Sequence, residues 1–233
     1  MTDGTTPGTL GVGGFAELDT DRRRRTGVPE VVYGEGKTPE QTLRLLAELR
    51  RTDPRGPALA TRCPPAVLDA ARDAFPGEAV AADPVGRTVT VGALPPPVGD
   101  VVALTAGTTD LPVAGECRAT LAALGVGVRL VADVGVAGLH RLLGHLDAIR
   151  DADAVVVAAG MDGALPSVVA GLVPAPVIGV PTSVGYGVAA GGLATAAAML
   201  ASCSPGLVVV NVDNGFGAAV HAAKIVHRVR GDR

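Results

Sequence analysis

Short apolar runs recur along the chain from residue 98 onward. Val101–Thr105, Val128–Val131, Ala154–Ala159, Val177–Val180 and Leu207–Asn211 are strand length and show no in–out alternation. A helical stretch follows each of them: Pro112–Leu124, Leu139–Arg150, Leu165–Leu172, Gly192–Ala201 and Ala218–Arg230. Continuous apolar runs suit strands covered on both faces. Strand–helix units in series with short connections predict an α/β domain over 98–233, a parallel sheet with helices on both faces.

The first part of the chain has a looser pattern. Residues 1–14, rich in Gly and Thr, read as a disordered leader and lack the basic-then-apolar order of a secretory signal. FAELDTDRRRRT (15–26) reads as a solvated helix with i,i+4 ion pairs. Glu30–Tyr33 predicts a strand and Pro39–Arg51 a helix, with Thr38 as cap and Gln41 at the capping-box position. Further elements are expected at Ala58–Thr61 (strand), Pro64–Asp73 (helix), and Val80–Asp83 and Thr88–Val91 (strands). Residues 15–93 thus form a small βαβα-like α/β domain, and Leu94–Pro97 is a proline linker. Between the first strand and helix, Gly34-Glu35-Gly36-Lys37 puts a lysine at a helix start. That is a candidate anion site without Walker A spacing, and an ordinary strand–turn–helix fits equally.

Composition narrows the function. The net charge of −3, 2% aromatics and absence of Trp give no footing for nucleic acid. The three cysteines lack C-x-x-C spacing, so reduced thiols in a cytoplasmic protein are expected, not a disulfide or zinc framework. Val184–Ala201 is long and apolar but broken by glycines, so a turn plus buried helix is expected there, not a membrane span.

The turns after the C-terminal strands concentrate the chemistry. In open parallel sheets ligands bind at the carboxyl edge, where helix N-termini favour anions. Gly107, Thr108 and Thr109 precede Asp110 in one such turn, and Gly160 and Gly163 flank Asp162 in another. Ser183, Gly185 and Gly187 belong to PTSVGYG, and Asn214 to NVDNGFG. None of these turns is G-x-G-x-x-G, so a standard dinucleotide fold is not supported. Thr108, Thr109 and Asp110 serve as well for a helix cap as for catalysis. His140 heads a helix after DVGVAG and is an acid/base or phosphate-partner candidate. Asp162, between glycines after a buried strand, is a stronger one. Cys117 falls inside a helix and reads as core. Cys203, between two serines at a helix end, reads either as a small buried residue or as a nucleophile at the ligand edge. A helix C-terminus does not favour a thiolate, so activation would have to come from a base or a cationic ligand.

TAGTTDLPVA, DVGVAGLHRLL, VVVAAGMDGALPSVVAGL, PVIGVPTSVGYG, GGLATAAAMLASCSPG and VVNVDNGFGAA together resemble the LarB family. These are the carboxylase/hydrolases (pyridinium-3,5-biscarboxylic acid mononucleotide synthases) of nickel-pincer cofactor biosynthesis. RTGVPEVVYGEGKT resembles the family's N-terminal block, and the C-terminal half is also similar to PurE, the carboxyaminoimidazole ribonucleotide mutase. The resemblance implies a PurE-like sheet and a symmetric octamer. The implied substrates are nicotinic acid adenine dinucleotide and CO2 or bicarbonate, with AMP and a biscarboxylated pyridinium mononucleotide as products. It implies Mg2+ with no ligand set, Cys203 as nucleophile and a ligand role for Lys37. Asp110, His140, Asp162 and Ser183 occupy family motif positions. A PurE-like mutase needing no thiol, and a nucleotide-binding protein without chemistry, are the alternatives.

Overall fold

A computed structural model describes residues 7–231. The chain divides into two compact units, residues 1–95 and 96–233.

The N-terminal unit opens with a hairpin, β1 (Thr9–Val12) and β2 (Ala16–Asp19), paired antiparallel. Residues 9–14, expected in the disordered leader, therefore carry a strand and a turn. Residues 1–6 of that leader lie outside the described residues. Val12 and Leu18 are buried in the unit's core, which is what holds the hairpin. The solvated helix expected over 15–26 is also corrected: only α1 (Arg22–Thr26) is helical, and β2 takes the first half. The expected i,i+4 pairing is met by Arg25 with Asp21, while Arg22 with Asp19 and Arg24 with Asp21 pair at i,i+3 instead.

β3 (Val32–Tyr33), α2 (Pro39–Thr52), β4 (Ala58–Thr61), α3 (Pro65–Ala74), β5 (Val80–Asp83) and β6 (Thr88–Val91) follow. Thr38 and Gln41 form the expected capping box at α2. The sheet order is β3-β4-β6-β5. β3-α2-β4-α3 is the expected βαβα unit with its strands parallel, and the two further strands β6 and β5 join antiparallel, so the sheet is mixed. Leu45, Leu46 and Leu49 of α2 and Val67 and Ala71 of α3 pack on Ala58, Ala60, Val89 and Val91.

The C-terminal unit contains β7 (Val98–Thr105), α4 (Leu111–Ala123), β8 (Val126–Val131), α5 (Leu139–Leu143), α6 (Leu146–Arg150) and β9 (Ala154–Ala159). It continues with α7 (Leu165–Ala170), β10 (Val177–Pro181), α8 (Leu193–Leu200), β11 (Leu207–Val209) and α9 (Gly215–Arg230). The helix expected over Leu139–Arg150 is broken at Gly144 and His145 into α5 and α6. α9 starts three residues earlier than expected, at Gly215, because the Asn214 side chain caps it by accepting from the Gly217 amide (2.8 Å).

The five strands are all parallel, in the order β11-β10-β9-β7-β8. Alternate strand residues serve opposite faces. Val101, Val156, Ile178 and Val180 meet α4 and α9, through Leu121, Ala219, Ala222 and Val226. Val102, Leu104, Val155 and Val157 meet Leu142, Ile149, Leu165, Val169 and Met199 on the other face. Chain order reverses between β7 and β9, with β8 on one side and β10 and β11 on the other. At such a switch point neighbouring loops diverge and leave a crevice at the strands' carboxyl ends.

No helix among the described residues is long and apolar enough to cross a membrane.

Candidate active site

The crevice is present. An open cavity of about 660 Å3 lies over the carboxyl ends of β7 and β9. That volume suits a ligand of nucleotide size. Its floor is Ala106, Gly107, Thr109 and Asp110 after β7, and Gly160, Met161 and Asp162 after β9. Gly135 and Arg141 close one side, and Val184, Tyr186 and Val188 the other. Gly160 is dictated by space: a Cβ there would lie 2.3 Å from the Val184 carbonyl oxygen.

The two acids of this floor differ. Asp110 is 2% exposed. Its Oδ1 accepts from the Thr182 hydroxyl (2.7 Å) and its Oδ2 from the Gly107 amide (2.9 Å). Burial pushes its carboxyl above the ordinary range, against the pull of Thr182 and the Gly107 and Gly160 amides, and the Asp213 charge adds to the rise. Asp110 therefore ties the ends of three strands together, and its oxygens are committed to that task. Asp162 is exposed at the cavity, and its Oδ1 accepts only a long bond, from the Ala164 amide (3.3 Å). Of the two, Asp162 is placed to take a proton from a bound molecule.

The other expected binding residues divide in the same way. Gly107, Thr109 and Gly160 line the cavity. Thr108 and Ser183 are exposed beside it, and the Ser183 amide donates to Asp213 (2.8 Å). Gly163 is buried beneath the floor, where a Cβ would lie 2.9 Å from the Thr195 methyl. In the PTSVGYG turn Val184 and Tyr186 face the cavity, while Gly185 and Gly187 shape the backbone between them. Asn214 is occupied as the α9 cap. His140 is exposed and outside the lining; its neighbour Arg141 lines the cavity and pairs with Asp133. Sequence reasoning passed over Arg141. The available signal was a second basic residue in the first turn of a helix that follows an Asp-Val-Gly turn. Lys37 belongs to the N-terminal unit, where its ammonium donates to the Tyr33 carbonyl (2.8 Å).

Cys203 is not at this edge, which corrects the expected placement. It lies in the loop between α8 and β11, and the carbonyl of Gly206 in that loop accepts from Val177, the first residue of β10. That is the amino edge of the sheet, and a six-residue strand such as β9 separates the edges by roughly 20 Å. Serine hydroxyls fix the loop. The Ser167 hydroxyl on α7 donates to that of Ser202 (2.7 Å), and the Ser204 hydroxyl donates to the Ser167 carbonyl (2.8 Å). Cys203 between them is exposed, while Cys63 and Cys117 are buried. Burial pushes those two thiols up to about 11 and about 12, so neither supplies thiolate near neutrality.

The family model described as LarB/PurE-like N-terminal domain matches residues 10–93, and the AIR carboxylase model matches residues 100–230. The uncharacterized protein MJ0165 of Methanocaldococcus jannaschii is 44% identical over 223 residues, covering 91% of this chain and 85% of that protein. A crystal structure of a Treponema denticola PurE2 variant aligns with 56% of this chain and 80% of its own, at 22% identity and a TM-score of 0.44. By both domain matches and by its archaeal relative, the chain belongs to the LarB family, with a PurE-like, carboxylase-type C-terminal domain.

Proposed function

We propose that this protein carboxylates C5 of the pyridinium ring of nicotinic acid adenine dinucleotide and hydrolyses its phosphoanhydride. The products are AMP and the 3,5-biscarboxylated mononucleotide. The observation that carries this reading is the pairing of chemistries: an exposed carboxylate, Asp162, in a nucleotide-sized cavity, and one exposed thiol, Cys203, held by serines.

A pyridinium carbon is too electron-poor to attack CO2. Addition of the Cys203 thiolate to C4 forms a C–S bond and leaves an enamine between N1 and C5. C5 then bonds to the carbon of CO2, Asp162 takes the C5 proton, and the electron pair expels the thiolate and restores the ring. This splits one hard step into easier ones. The cationic ring favours the thiolate as it approaches. Arg141 stands where a phosphate of the same substrate can be neutralised.

Within one chain the thiol and the acid occupy opposite edges. The reading therefore requires Cys203 of one copy to serve the cavity of another, in keeping with the octamer the resemblance implies. Among the described residues no three His, Cys, Asp or Glu side chains group to hold a metal. Mg2+ is ordinarily held by one or two carboxylates together with substrate phosphates and water. Asp162 is the residue that would hold it here, and it would neutralise phosphate charge; the steps above use the chain's own groups.

A thiol-free, PurE-like carboxylation is the second reading, favoured by the absence of any cysteine from the cavity lining. Incubation with nicotinic acid adenine dinucleotide, bicarbonate and Mg2+ tests the first. AMP appearing together with a biscarboxylated mononucleotide is the expected result; neither product appearing refutes it.

A further inference from the structure

The cavity carries an aromatic ring that the proposed chemistry does not use. Tyr186 lines it and is 77% exposed, so the ring is open to a bound molecule. The chain has only two tyrosines, and their surroundings differ. The Tyr33 ring, in the N-terminal unit, already meets cations of the protein. The Lys37 ammonium and the Arg62 guanidinium each lie 5.9 Å from its centre, and its hydroxyl donates to Glu35 (2.6 Å). Among the described residues, no cation stands over the Tyr186 ring and no partner meets its hydroxyl.

The backbone fixes where this ring stands. The Ala189 amide donates to the Tyr186 carbonyl (3.1 Å) and closes the turn behind the side chain. Space requires glycine at 185, where a Cβ would lie 2.8 Å from the Ala189 carbonyl oxygen. Conformation requires it at 187, where φ is +60°.

The same turn is tied to the acid of the cavity floor. The Met161 amide donates to the Val184 carbonyl (2.9 Å), so Asp162 and Tyr186 spring from two segments joined by a hydrogen bond. The buried Thr195 hydroxyl donates to the Met161 carbonyl (2.6 Å) and holds the acid's turn from α8. Val184 and Val188 extend the ring into an apolar wall, and Arg141 closes the opposite side.

This arrangement polarises the cavity. The π face of a tyrosine carries negative potential and attracts a cation, and the Asp162 carboxylate beside it has the same preference. The Arg141 guanidinium across from them prefers a phosphate.

We propose that Tyr186 selects the charge state of the bound ring. Its π face holds a planar organic cation, a pyridinium, beside Asp162, while a phosphate of the same molecule meets Arg141. The identity of the ring rests on the carboxylation reading; the preference for a cation rests on the wall itself. A reduced, neutral dihydropyridine of similar shape lacks the charge that the wall attracts and binds less well. The contact also has a sign in turnover. Thiolate addition neutralises the ring, so Tyr186 favours the bound substrate over the adduct, and its loss raises KM without lowering kcat.

Calorimetric titration of the full chain tests the assignment. Nicotinic acid mononucleotide is the cationic probe and its 1,4-dihydro form the neutral one, and both carry the same phosphate. A Cys203→Ala background keeps covalent addition out of the measured affinity. The oxidised probe should bind about tenfold more tightly than the reduced one, Tyr186→Phe should keep that ratio, and Tyr186→Leu should reduce it about fivefold. Arg141→Gln should weaken both probes alike and leave the ratio unchanged. A ratio that survives in Tyr186→Leu overturns the proposal. So does a Tyr186→Leu chain that no longer elutes at the wild-type size, since the ring would then serve a contact between copies. No bicarbonate is present, so a ratio reduced in Tyr186→Leu supports the site whether or not carboxylated product is ever found. Carboxylation by Tyr186→Leu, with Cys203 intact and with KM and kcat both unchanged, overturns the site and leaves the carboxylation reading standing.

Discussion

The two edges of the C-terminal sheet are built on different principles. At the carboxyl edge, glycine turns and one buried acid draw the backbone into a cradle, and Asp110 ties Gly107, Gly160 and Thr182 together from below. At the amino edge, a serine network fixes a loop whose thiol is exposed. The first edge makes a container that lacks a nucleophile. The second presents an exposed thiol that lacks a container. Each is tied by its own hydrogen bonds, and bringing the two together by remodelling one chain would have to break them. A second copy can join them with no change inside either, provided the assembly sets an amino edge against a neighbour's cavity.

Substitutions at the two edges should therefore fail in different ways. The largest effect is expected at the thiol: Cys203→Ala should lower carboxylation at least a thousandfold while circular dichroism stays unchanged. Substrate-treated wild type should carry its thioether on the Cys203 peptide; an adduct on Cys63 or Cys117 would contradict the thiol assignment. Asp162→Asn should cost turnover about a hundredfold with KM nearly constant, as loss of a general base does. A rise in KM alone would make Asp162 a positioning group and leave the container without a base.

The smallest effect is expected at Asp110, and it is one of stability. Asp110→Ala leaves the Thr182 hydroxyl and two amides unpaired and should cost about 1–3 kcal/mol in denaturant unfolding. Because burial raises the Asp110 pKa in the folded state, the fold favours its protonated form. Its contribution is complete below the ordinary aspartate value of 3.8 and is lost as pH rises through the raised value. Stability measured against pH should show that loss in wild type and not in Asp110→Asn. Identical profiles would mean that Asp110 carries no burial penalty.

Much of this was legible in the sequence. Ala154–Ala159 and Val177–Val180 announce doubly covered strands because nothing polar interrupts them, and Thr38 and Gln41 announce the cap of α2. The hairpin of Thr9–Val12 with Ala16–Asp19 was hidden because its two core residues lie six positions apart, Val12 among glycines and Leu18 between acids. The break at Gly144 was hidden because glycine interrupts a helix in one context and is tolerated in another. The cavity was legible as a set of turns after strands. The side chain of Asp110 was not, since a carboxylate at a helix start serves equally as a clamp, a cap or a base until Thr182 is seen beneath it. The position of Cys203 could have been read correctly. A loop that follows a helix and precedes a parallel strand lies at the amino edge, so the order of elements already separated it from Asp162.

Whether one copy's thiol works in another copy's cavity is decided by dissociating Cys203→Ala and Asp162→Asn and reassembling them together. Mixed assemblies contain cavities with an intact Asp162 facing an intact Cys203 of a neighbour, so carboxylation should return to a sizeable fraction of wild type although each parent is inactive. Mixed assemblies as inactive as their parents, with exchange of chains verified by mass spectrometry, would contradict the claim.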